Sequence, residues 1–154
     1  MIQQIKSFIK RFIPWKDNEV KIYRLYKKSR FFYLHNLEFM AKLYSYKIYK
    51  KYNCYIYGSA VIGKNLRIPH PIGIVIGDGV VLGDNVVLYQ NVTLGKKHRE
   101  VYDQTYPKVG NNTIIYANSV IVGSAEIGNN CMIGCNSTVF GKVDDGKIVG
   151  GVIK

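Results

Sequence analysis

Aliphatic residues recur at every sixth position over more than half of the chain. Ile56, Ile62 and Ile68 come first. After a spacing of eight come Ile76, Leu82, Leu88 and Leu94. A longer gap leads to Val109, Ile115, Ile121, Ile127, Ile133 and Val139. Four residues after most of these stands something small or aliphatic, such as Ala60, Leu66, Val80, Val86, Val92, Thr113, Ser119, Ala125, Cys131 and Ser137. A fixed six-residue period is the signature of a solenoid. Strand alternation sends the aliphatic residue and the one two before it to the same inner face. Six residues supply one short strand and one bend, and three such units close one coil. The thirteen units therefore predict a little over four coils, rising about 4.8 Å per coil. Each buried Ile or Leu contributes about 1.5–3 kcal/mol, enough for the column to hold a narrow prism together. The recurring Gly, with Asn65, Asn85, Asn111 and Asn129, suits bends that require positive φ. A β-sandwich also alternates, but nothing locks its strands to one period over so long a stretch.

The part of the chain before the repeat differs in kind. Positions 1–54 carry 13 Lys+Arg against 3 Asp+Glu, whereas positions 55–154 carry 9 against 7. This shift predicts a boundary near Asn53, with a basic, aromatic helical region at 1–54 and the repeat domain at 55–154. Ile2, Ile5, Ile9, Phe12 and Ile13 fall at helical spacing up to Pro14. Asp17 or Asn18 can cap a second helix, and a break between Ser29 and His35 would separate it from a third.

An apolar content of 47% excludes a disordered polyelectrolyte. Cys54, Cys131 and Cys135 are odd in number and lack ligand-like spacing with histidine, so neither a disulfide scaffold nor a metal site is expected, and Cys131 reads as a small core residue. No stretch approaches the ~20 apolar residues of a membrane span. The N-terminal stretch up to Trp15 mixes charges into its apolar pattern, unlike a secretory signal. The expected location is the cytoplasm.

A perfect prism has no site, so the two breaks in the period are where chemistry can be placed. The first holds His70 between Pro69 and Pro71, which stiffen the backbone on both sides. An imidazole is suited to removing a proton at neutral pH. The second break, residues 95–108, is charged and aromatic, and a loop of that kind is usually functional or disordered. Of the other histidines, His35 reads as structural within the helical part and His98 as a solvated loop residue.

The stretches PHPIGIVIG and QNVTLG, with an insert and then PKVG, resemble bacterial serine acetyltransferase and its relatives over roughly residues 54–141. These are hexapeptide-repeat acyltransferases with a left-handed parallel β-helix. The resemblance alone implies that hand, since crossover rules favour the opposite one. It implies a homotrimer with acetyl-CoA in grooves between neighbouring prisms and His70 as general base. It also implies direct attack of the acceptor hydroxyl on the thioester, with the Gly95 backbone facing the developing oxyanion. Ala117, Lys142 and Lys147 are assigned to the CoA side, and no metal is expected.

The family's catalytic aspartate is Tyr55 here, the residue before the histidine is Pro69, and the serine-recognising Arg-His pair is Thr105-Tyr106. A zwitterionic acceptor needs charges of both signs. The I-P-H-P form looks instead like relatives that acetylate sugars of bacterial surface polysaccharides. The expectation is therefore a sugar acceptor bound by Tyr55, Tyr57, Tyr89 and Tyr106, with serine O-acetyltransferase or a non-catalytic β-helix scaffold as alternatives. Tyr55, a backbone carbonyl, Glu100 and Asp103 are candidates to orient His70. The basic arm admits contact with an anionic membrane at the inner face, or packing of two trimers through their helices. It carries no nucleic-acid motif.

Overall fold

A computed structural model describes residues 15–96 and 105–154, with side chains from residue 18 onward. The first expected helix, before Pro14, lies outside them. Two helices follow, α1 (Trp15–Leu34) and α2 (Glu38–Tyr52). Helix α1 runs through Asp17 and Asn18, so neither caps it, and the break falls at residues 35–37, at the end of the expected window. Asn53 closes α2 in the left-handed conformation, φ 52°.

Among the described residues fifteen short strands come next, from β1 (Tyr55–Ile56) and β2 (Val61–Ile62) to β15 (Val152–Ile153). They form three parallel sheets, the faces of a left-handed β-helix of about five turns. Sheet A holds β1, β3 (Val75–Ile76), β6 (Thr93–Gly95), β9 (Val120–Val122), β12 (Thr138–Val139) and β15. Sheet B runs from β2 through β4 (Val81–Leu82), β7 (Lys108–Val109) and β10 (Glu126–Ile127) to β13 (Lys142–Val143). Sheet C joins β5 (Val87–Leu88), β8 (Ile114–Ile115), β11 (Met132–Ile133) and β14 (Ile148–Val149).

The register records each break in the period. Val75 pairs with Thr93 and Lys108 with Glu126, each one regular coil of three units on. Tyr55 pairs with Val75, two positions beyond that spacing, across the turn that holds His70. Val81 pairs with Lys108, nine positions beyond it, across the long insert. All thirteen aliphatic positions are buried, and so are their small partners. The hydroxyls among those partners are satisfied: Thr113 donates to the Gly128 carbonyl at 2.9 Å and Ser119 to that of Gly134 at 2.9 Å.

The expected corner chemistry is corrected at Asn111 and Asn129. The positive-φ residues there are their neighbours Asn112 (φ 54°) and Asn130 (φ 56°). Asn111 and Asn129 instead use their side chains to tie coils together. The Asp84 amide donates to Asn111 Oδ1 (2.7 Å), that of Asn111 to Asn129 Oδ1 (2.8 Å), and that of Asn129 to Asp145 Oδ1 (2.8 Å). Stacked Asn85, Asn112 and Asn130 form a parallel ladder alongside.

The helical hairpin caps the first coil. Ile22, Tyr26, Ile48 and Tyr52 join one core with the prism. The Tyr26 hydroxyl donates to the Ala60 carbonyl (2.8 Å) and accepts from the Ile62 amide (3.1 Å). Ser45 Oγ donates to the Ile56 carbonyl (2.7 Å), and Arg30 to that of Ser59 (2.8 Å). These backbone groups belong to, or adjoin, the edge strands β1 and β2, which would otherwise template pairing with another chain.

Candidate active site

His70 stands at the corner where sheet C passes into sheet A. The Ile72 amide donates to its carbonyl at 2.8 Å, closing the turn between the two prolines. Its side chain is exposed, with the ring 6.3 Å from that of Tyr89. Tyr89 in turn stacks on Tyr116 at 5.1 Å, one coil on. The imidazole makes no hydrogen bond to a described residue. Ala117 follows Tyr116 in the same corner.

Gly95 ends β6 at the opposite edge of sheet A, where the chain leaves for sheet B. A Cβ placed on it would meet nothing within 4 Å among the described residues. Beyond it, the Lys96 ammonium lies 4.8 Å from the centre of the Tyr106 ring, and Tyr106 covers Gly79. His70 and Gly95 thus flank one face of the prism from opposite sides. A single chain holds them at opposite edges of sheet A.

The four tyrosines assigned to the acceptor separate into groups. Tyr55 and Tyr57 meet edge to face at 4.9 Å, and Tyr49 of α2 joins Tyr55 at 6.1 Å. Tyr89 belongs to the His70 corner and Tyr106 to the Gly95 corner. Tyr55 and Tyr57 line a cleft of about 390 Å³ between α2 and the first coils, together with Tyr33, Glu38, Lys42 and Asp78. These last four were not singled out in the sequence. Glu38 and Lys42 pair at 3.1 Å, and the Asp78 carboxylate has no ion pair with a described residue. The charges of both signs absent from the matching motif positions are therefore present nearby, on other elements.

Gln90 was also missed. It lies in the His70 corner one coil on, where the Asn118 amide donates to its carbonyl at 3.1 Å, and its side-chain Oε1 is buried without a hydrogen-bond partner among the described residues. Its only sequence signal is its place before the Asn-Val-Thr-Leu-Gly stretch.

Lys142 bonds Asp144 at 3.0 Å, and the surrounding carboxylates, Asp144 first, raise its pKa. Lys147 is exposed before β14, at the edge between sheets B and C, away from both His70 and Gly95. Glu100, Asp103 and His98 lie outside the described residues. His35 Nδ1 lies 2.7 Å from the Phe31 carbonyl and its ring packs on Phe31, a structural role at the helix end. Cys54 and Cys131 are buried free thiols, Cys135 is exposed, and burial pushes the Cys54 thiol up to about 11. Among the described residues no cluster of three His, Cys, Asp or Glu could hold a metal.

Comparison with known proteins agrees with this fold. The family described as bacterial transferase hexapeptide (six repeats) matches residues 106–141. Serine acetyltransferase of Staphylococcus epidermidis is 35% identical over 105 residues, 68% of this chain and 46% of the relative. A solved serine acetyltransferase in complex with cysteine superposes with a TM-score of 0.82 at 28% identity, over 87% of this chain and 52% of that one. One in complex with CoA gives 0.80 at 27% identity, over 87% and 55%. The chain spans about half the length of these relatives. They name serine acetyltransferase, the alternative in the sequence reading, and none of the three names an enzyme of surface polysaccharides. By its repeats the chain is similar to the bacterial hexapeptide transferases and, over about half of their length, to the serine acetyltransferases.

Proposed function

We propose that the chain is an acetyl-CoA-dependent O-acetyltransferase that works as a homotrimer, with His70 as general base. The observation that carries this is the split of His70 and Gly95 between the two edges of one prism face, which makes each copy half of a site. The imidazole of one copy takes the proton from the acceptor hydroxyl as its oxygen attacks the thioester carbonyl. The Gly95 segment of the neighbour supplies backbone dipoles to the developing oxyanion. Collapse breaks the carbon–sulfur bond, and the CoA thiolate recovers the proton from His70. The solved CoA complex of a structural neighbour supports the donor.

Serine is the acceptor that the relatives support. The Tyr55–Tyr57 cleft suits it chemically, since Asp78 can meet an ammonium and Lys42 a carboxylate. A sugar hydroxyl is the second reading, favoured by the exposed tyrosine faces of the same cleft and by Tyr55 standing where the family has aspartate. Following thiol release from acetyl-CoA with serine, and in parallel with a panel of sugars, separates the two. Brisk turnover with serine supports the first, and turnover with a sugar and not serine supports the second. Loss of neither activity in His70→Ala would overturn the mechanism for both.

A further inference from the structure

We propose that the outer face of the α1–α2 hairpin docks on an anionic membrane surface. This goes beyond acetyl transfer and does not depend on it. A groove of about 950 Å³ between the two helices is lined by seven lysines and arginines and no carboxylate. Among them, Arg24, Lys28, Lys47 and Lys51 make no ion pair with a described residue. Lys28 and Lys47 both lie against the Tyr44 ring, at 5.7 and 4.7 Å, and Lys51 against that of Tyr52 at 5.6 Å. Like charges held this close repel one another, a cost that a bound polyanion relieves.

The second observation is at the tip of the same hairpin. Phe31, Leu34, Leu37 and Phe39 are 54%, 60%, 50% and 78% exposed, which gathers large apolar side chains at the tip of a basic arm. Lys21, Arg24, Lys28 and Phe31 are spaced three, four and three apart, so one face of α1 carries the cations and then the first ring of the tip. From residue 21 to 31 the helix advances about 15 Å. A hairpin lying on a membrane therefore sets its cations among headgroups while the tip enters the interface. Lysine stems suit this, since they lie along apolar surface with the ammonium in water. No helix among the described residues is long and apolar enough to cross a membrane, so the contact is interfacial. A nucleic acid would use the groove but would leave the leucine and phenylalanine tip uncovered.

The test is sedimentation of the full-length chain with phosphatidylcholine vesicles, with and without phosphatidylglycerol, at low and high salt. Binding should require the anionic lipid and weaken with salt. Each cation near such a surface is worth about fivefold in partitioning, so the fourfold variant Arg24→Gln, Lys28→Gln, Lys47→Gln, Lys51→Gln should lose several hundredfold. All four are exposed, and circular dichroism will show the helices intact. The pair Phe31→Ser, Phe39→Ser should lose the part of binding that survives high salt. Equal binding to both vesicle types, or undiminished binding by the fourfold variant, overturns the proposal. So does preferential capture by a mixed-sequence oligonucleotide at the same salt. A tip variant that binds vesicles normally but forms smaller assemblies by light scattering would also overturn it, by making the tip a contact between copies.

Discussion

His70→Ala is the substitution for which stability and chemistry predict opposite outcomes. The side chain is exposed, its nearest ring is 6.3 Å away centre to centre, and its turn is fixed by the backbone bond from Ile72 and by two prolines that the substitution leaves in place. A surface change of this kind stays within about 0.5 kcal/mol. In a chain of this size that moves the thermal midpoint by about 1–2 °C. Loss of a general base costs ~10²–10⁴ in rate, or roughly 3–5 kcal/mol of transition-state stabilisation. The two scales differ by several-fold, so a large rate loss cannot come from unfolding. The assay is thiol release from acetyl-CoA with the best acceptor, beside thermal melts of both proteins. The expected result is a fall in kcat of two or more orders of magnitude with an unchanged melt. Activity within about threefold of the parent, at the same melting temperature, would refute the assignment of His70.

The other predictions concern the prism. Gly110→Ala should destabilise by about 1–3 kcal/mol, because its Cβ would sit 2.6 Å from the Gly128 carbonyl carbon of the next coil, where neither backbone can yield; urea unfolding reads this directly. At Asn112 (φ 54°), alanine should cost about 1 kcal/mol more than glycine, since only alanine pays for the left-handed backbone; equal losses by chemical denaturation would contradict it. The Cys54 thiol, raised from 9.0 to about 11 by burial, keeps its proton in the folded chain after the unfolded chain has lost it. The stability this gives is complete below pH ~9 and is lost as pH rises from there towards 11, so Cys54→Ala should show a shallower fall in urea midpoint over that window.

The prism was legible because a parallel solenoid imposes its period on the residues that face inward. Each of the thirteen positions stacks on the same position of the next coil, and a polar residue there would lose its water without gaining a partner. The last turn was not legible, because the period fails there. After Val139 the inward residues are Val143, Val149 and Ile153, and sheet A closes with Val139 beside Ile153, less than a regular coil further along the chain. Val149 and Ile153 are only partly buried, so the constraint that made the earlier positions readable is relaxed. Asn111 and Asn112 show a different limit. Both residue types suit a corner, and the register of the neighbouring coil decides which takes the positive φ and which reaches across. The cleft that joins Glu38, Lys42 and Asp78 to Tyr55 and Tyr57 depends on how α2 lies on the first coils, which no local pattern encodes.

The two breaks in the period share a geometry that the linear sequence hides. A solenoid places extra residues at corners, since a two-residue strand has no room for them. Of the three corners, the two-residue excess with His70 falls where sheet A begins, and the nine-residue excess falls where sheet A ends, just past Gly95. Folding alone gives no reason to burden both edges of one face and to leave the third corner regular. A site assembled from the leading edge of one copy and the trailing edge of another does give one. In the proposed assembly, groups on the face of a neighbour would also desolvate and orient the imidazole, which in the isolated chain stands exposed and without a hydrogen-bond partner among the described residues.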